Sequence, residues 1–295
     1  MDTHFGRTSL MICRSLVQSR LVRRTSYGSQ RVVVIAWLVA IACLAPPVQA
    51  AELSARDIME KNFYVTKVQN MTNDSTMTLT NDKGQRRVRK MHSVLVLQPN
   101  GVDSNLMIRF LFPGDVEGTG YLQIQHHQAD DDMWIYLPAL KKVRRLVANN
   151  KKDSFVGTDF SYGDILLPVV DTFRHKLLLK SEAVGGEECW VIESVPASDE
   201  IKKDHGYAMK TAWISKRSFM ERKVEYLDAA GRPLKTLTVS EVKEIDATNG
   251  KWWAMRREMV NHQTGHSTLL VFENLDTQKP VGENFFTTRY LEREK

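Results

Sequence analysis

The 295-residue sequence is poor in cysteine, with three in all. Cys13 and Cys43 fall in the N-terminal leader described below, so Cys189 stands alone in the remainder. No intramolecular disulfide is expected there, and stability has to come from packing. Motifs of common catalysis are missing too. There is no Gly-x-Ser-x-Gly elbow, P-loop or His-Glu-x-x-His, and Gly118-Thr119-Gly120 does not continue into a dinucleotide fingerprint. Cys189, beside Trp190 in a strand-like run, reads as a small buried hydrophobe rather than a nucleophile. His126-His127 near Asp130-Asp131-Asp132 offers metal-capable atoms, but adjacent histidines on a strand point to opposite faces. Neither an enzyme nor a metal or other cofactor is therefore expected.

An excess of one charge is also missing from most of the chain. The formal charge is +6, but residues 1–50 hold six arginines against one acid, a net +5, which leaves +1 for residues 51–295. That balance argues against a nucleic-acid partner. The leader has Arg31, an apolar run from Val32 to Ala45, then Pro46-Pro47 and Val48-Gln49-Ala50. This is the pattern of a signal peptide over residues 1–50, cleaved after Ala50, and the run is shorter than the ~20 residues of a membrane-spanning helix. Cleavage before Cys43, as in a lipid-anchored protein, is disfavoured because Ala40-Ile41-Ala42 lacks the usual leucine. Residues 51–295 contain no repeat or linker and read as one domain.

Ser54 and Asp57 form a capping-box pattern that opens an amphipathic helix running through about Val68. From Ser75 the apolar period changes to two. Asn81-Asp82-Lys83-Gly84 turns one strand into the next, and further strands are expected near 106–112, 121–126 and 133–137. In the C-terminal half, strands near 187–195, 208–215, 219–228, 232–245, 251–261 and 266–275 are separated by turns at Ala230-Gly231, Asn249-Gly250 and Thr264-Gly265. Loops this short leave no room for crossover helices, so the sheet is expected to be antiparallel. Residues 149–176 show no sustained period, and Phe285–Arg293 could close the chain as a short helix or strand.

The centre of the chain carries the densest motifs. They are Met133-Trp134-Ile135-Tyr136-Leu137-Pro138, the basic run Lys141-Lys142-Val143-Arg144-Arg145, and Ser154-Phe155-Val156-Gly157-Thr158-Asp159-Phe160-Ser161-Tyr162-Gly163-Asp164. Together with the turn at 79–84, Arg109-Phe110-Leu111-Phe112-Pro113 and Gly118-Thr119-Gly120-Tyr121-Leu122, this sequence resembles the outer-membrane lipoprotein-sorting (LolA-like) family of periplasmic proteins. The resemblance implies an α+β, mainly antiparallel fold: a curved incomplete barrel whose concave apolar face is covered by helices and takes up an acyl chain. Alternation supplies Phe110, Phe112, Leu122, Ile124, Trp134, Tyr136, Trp253 and Met255 as candidates for that face, and the same residues would equally serve to fill a core. The segment with Phe155, Phe160 and Tyr162 is expected to serve the cleft as cover or as support for it. The basic run could pair with Asp159 or Asp164, meet an anionic headgroup, or simply be a solvated strand edge. By resemblance the chain is expected to be a monomeric periplasmic carrier of lipid or lipoprotein acyl chains between inner and outer membrane, served by an inner-membrane transporter of the resistance-nodulation-division (RND) type. The alternatives are a lipid-sensing module that controls a membrane-bound partner, and a lipid hydrolase, for which no nucleophile and base are evident.

Overall fold

The computed structural model describes residues 52–147 and 151–293. The signal-peptide expectation for residues 1–50 lies outside them.

Helix α1 (Ala55–Val65) begins as the capping box requires: Ser54 Oγ accepts from Asp57 N at 3.1 Å, and Asp57 Oδ2 accepts from Ser54 N at 2.9 Å. It ends at Val65 rather than Val68. Beyond it Lys67 turns inward, where its Nζ donates to Ser104 Oγ and Gln125 Oε1, each at 3.0 Å.

The rest is one open antiparallel sheet. Its strands are β1 (Asn70–Thr80), β2 (Arg86–Leu97), β3 (Ser104–Phe112), β4 (Gly120–Ile124), β5 (Asp132–Leu137), β6 (Lys142–Leu146), β7 (Phe173–Val184), β8 (Glu187–Pro196), β9 (Met209–Ser215), β10 (Glu221–Leu227), β11 (Pro233–Asp246), β12 (Lys251–Asn261) and β13 (Ser267–Asp276). Spatial order is β6-β5-β4-β3-β2-β1-β13-β12-β11-β10-β9-β8-β7. The chain thus starts in the middle, meanders to one edge, jumps to the other and meanders back, until β13 pairs with β1. Both edges carry cations, Lys142, Arg144 and Arg145 on β6 and Arg174, Lys176 and Lys180 on β7, which discourages pairing with a further strand.

Two further short α-helices lie among the described residues. Helix α2 (Asp199–His205) has Ser198 as its N-cap and Gly206 (φ 77) as its left-handed stop. Helix α3 (Thr288–Leu291) lies near the C-terminus.

The two faces of the sheet are buried by different means. The inner face carries the main core and is covered by α1, which packs against β7 and β12, and by the segment that joins β6 to β7. The outer face of β2–β5 carries a smaller cluster, Val94, Met107, Leu122 and Tyr136, covered by Phe286 and Leu291 from the C-terminal segment. Arg109 holds that cover by donating to Leu291 O at 2.8 Å.

Candidate functional site

Cross-strand partners in an antiparallel ladder point to the same face. The register therefore assembles rows across the inner surface: Phe110, Met91, Ser75 and Phe272; Ile108, Ser93 and Asn73; Leu106, Leu95 and Met71; Met77, Leu270 and Arg257. Between these rows and the β6–β7 segment lies a cavity of about 60 Å3. Its walls are mostly apolar, with Asn73, Ser75, Ser93, Asp164 and Arg257 as the polar members.

The roof follows from topology. Because β6 and β7 are opposite edges of the sheet, the chain between them has to travel across it, and its attachments advance in strand order. Phe155 packs edge-on against Tyr121 of β4 at 5.2 Å and lies 6.1 Å from Phe110 of β3. Arg89 of β2 donates to Val156 O. Thr268 Oγ1 of β13 accepts from Asp159 N at 3.1 Å and donates to Asp159 Oδ2 at 2.7 Å. Asp164 forms a buried ion pair with Lys235 of β11.

Burial by itself would raise the Asp164 carboxyl. The Lys235 ammonium and the Ser161 N and Oγ donors, at 2.7 and 2.8 Å, overcome this and hold it below the usual carboxylate range. The roof is folded on itself by Phe155 N donating to Phe160 O at 2.8 Å, with Val156 (φ 48) and Gly157 (φ 75) at the bend. A β-branched residue in the left-handed region carries local strain of about 1–3 kcal/mol.

Of the residues expected on the concave face, Phe155, Phe160 and Trp253 line the cavity, Phe110 lies in the core beside it, and Tyr162 packs against Phe155 at 5.5 Å. Leu122, Ile124, Trp134 and Tyr136 do not belong to that set. They lie on the outer face under the C-terminal segment, while their neighbours Tyr121, Met133 and Ile135 face inward. Strand β4 is buried on both faces, so alternation could not tell inside from outside. Phe112 is 49% exposed beyond a register shift in the β2–β3 pairing. Met255 is half-buried opposite the irregularity at Glu241 (φ 52) and does not line the cavity.

The basic run does not meet Asp159 or Asp164. Arg145 pairs with Asp132 instead. His126 and His127 bond separate carboxylates, Asp132 at 3.2 Å and Asp103 at 2.7 Å. Cys189 is fully buried, and burial pushes its thiol up to about 11. Sequence reading missed Asn73, Ser75, Met91 and Arg257. For Arg257 a signal exists: it interrupts the period-two stripe Trp253, Met255, Met259.

An open curved antiparallel sheet with a roofed inner face defines the LolA-like class of fold. A family model described as "-like: Uncharacterized protein" matches residues 102–293, well over half of the chain. Among solved structures, an outer membrane lipoprotein-sorting protein domain from Vibrio parahaemolyticus is 32% identical at TM-score 0.74, over 81% of this chain and 98% of that one. A DUF1329 family protein from Desulfovibrio piger is 27% identical at TM-score 0.74, over 80% and 97%. A LolA superfamily protein from Nitrosomonas europaea shares the fold at TM-score 0.62 and 17% identity, over 81% and 100%. No curated protein matches the chain. The chain belongs to the outer-membrane lipoprotein-sorting, LolA-like family.

Proposed function

We propose that the chain is a periplasmic carrier. It takes the acyl chains of a lipid or lipoprotein beneath the β6–β7 roof and moves them between the inner and outer membranes, receiving them from an inner-membrane transporter. The physical need is plain: each CH₂ exposed to water costs about 0.8 kcal/mol, so a lipid crosses an aqueous space only inside an apolar cover.

The observation that carries this reading is an apolar inner cavity closed by a chain segment rather than by the sheet itself. The roof is held to the sheet by side-chain attachments, among them those of Arg89, Thr268, Lys235 and Gln125, rather than by ladder bonds. At about 60 Å3 the cavity is well below the roughly 300–1,000 Å3 of ordinary ligand pockets. The roof must therefore lift when cargo enters, as lids do. No catalytic step is part of this reading.

Delipidated, natively folded protein is expected to bind a fluorescent acyl probe saturably at about one site per molecule, and unlabelled phospholipid should displace it. Phe160→Ala should lower stability by about 3–5 kcal/mol and also change probe affinity or release. Absence of competition would sink the carrier reading. If folded Phe155→Ala, Phe160→Ala and Tyr162→Ala all bind and release like the parent, the roof has no part in binding.

A further inference from the structure

Three buried polar atoms in the wall of the inner cavity have no hydrogen-bond partner in the protein: Asn73 Oδ1 of β1, and Trp253 Nε1 and Arg257 Nε of β12. Buried polar atoms are nearly always bonded, so three such atoms around one cavity require an explanation. Arg257 is the most demanding. Among the described residues no carboxylate reaches ion-pair distance of it. Asp164, which shares the cavity wall, is already held by Lys235 and Ser161. Glu221 acts on Arg257 only through its field. The guanidinium lies 5.4 Å from the Trp253 ring and 5.8 Å from the Phe272 ring. Such contacts engage its faces and leave the N–H edge free to donate. A guanidinium stays charged in proteins, and a charge in an apolar wall calls for a counter-ion.

Building on the carrier reading, we propose that Arg257, with the Trp253 indole N–H beside it, binds an oxyanion of the cargo, so that the ligand is an anionic amphiphile bearing a carboxylate or a phosphate. The planar fork of a guanidinium matches either group. Asn73 Oδ1 is an acceptor, so it serves a hydroxyl or N–H of the cargo rather than the oxyanion itself. Met71, Met77, Met91, Leu95, Leu106 and Ile108 provide the apolar wall for the alkyl chain.

The test compares matched ligands on the whole folded protein. One pair is a fluorescent fatty acid and the methyl ester of the same acid; the other is phosphatidic acid and diacylglycerol with the same chains. A charge-assisted contact should make the anionic member bind about 10- to 100-fold tighter. A preference confined to the first pair assigns a carboxylate, and one confined to the second assigns a lipid phosphate. Arg257→Met should remove the preference by weakening the anionic member of each pair far more than its neutral partner, and Arg257→Lys should keep part of the preference. Equal binding of both members in both pairs by the unaltered protein, a comparison that needs no variant, overturns the oxyanion site and leaves the carrier intact. So does an Arg257→Met protein that weakens both members alike. If no member of either pair binds, the carrier reading fails first and the oxyanion site with it.

Discussion

His205 shows how one buried residue ties the roof to pH. It ends α2 beneath the roof, where a Cβ on Gly163 would lie 3.1 Å from its Nδ1, and its ring packs edge-on against Phe173 at 5.4 Å. Burial, helped by the positive charges of Lys151, Lys210 and Lys235 and opposed by Asp164, pushes it down to about 4. The unfolded chain takes up this proton below about pH 6.5, whereas the folded chain takes it up only near pH 4. Stability is therefore full above pH 6.5 and falls as the pH drops towards 4. Between pH 7 and 5 the loss should be about 2 kcal/mol, and His205→Gln should flatten it. Thermal melts of the two proteins across this range are the check, and parallel curves would remove His205 from the account. Like Arg257, the residue is visible in the sequence, but its surroundings come from segments far apart in the chain.

Elements were legible where one face was wet. The hairpin of β1 and β2 and the meander from β8 to β13 follow the expected alternation and turn signals closely. Strand β7 is not legible in the sequence because Leu177-Leu178-Leu179 breaks the period, and its pairing with β8 shifts register at the same place. The two-turn α2 carries full start and stop signals, Ser198 and Gly206, yet is too short to show a clear period. The C-terminal segment matters more than its length suggests, since it buries the outer face of β2–β5. It fits because β4 begins with glycine. A Cβ on Gly120 would come within 2.6 Å of Leu291 Cδ1 and 3.0 Å of Arg109 Nη1. Gly120→Ala should thus cost about 1–3 kcal/mol and push α3 off the sheet. Limited proteolysis should then cut within residues 280–293 faster than in the parent, and an unchanged cleavage rate would show that Leu291 repacks freely.

At the scale of the molecule the decisive contact is β1 with β13, strands that pair in the middle of the sheet although they stand near opposite ends of the described chain. Without it there would be two separate meanders, each with an extra open edge. Pairing this distant in sequence closes a long loop before it is rewarded, so folding should be slow, on the order of a second or longer. Stopped-flow tryptophan fluorescence measures that rate. The sheet is continuous through β1 and β13, so far- and near-ultraviolet circular dichroism should report one coincident thermal transition. Two separated transitions would mean that the halves fold independently.

Local signals in the sequence were enough to indicate a mainly antiparallel sheet: period-two alternation, turns too short for crossovers and a capped first helix, while the curved LolA-like form was implied by the resemblance that the central motifs carry. Each of these depends on a few neighbouring residues. The site was decided by tertiary structure. Which face of β4 and β5 looks inward depends on which of two distant segments covers each side, and both sides are apolar. That Asn73, Trp253 and Arg257 share one cavity depends on the register of β1, β13 and β12, which no single strand encodes.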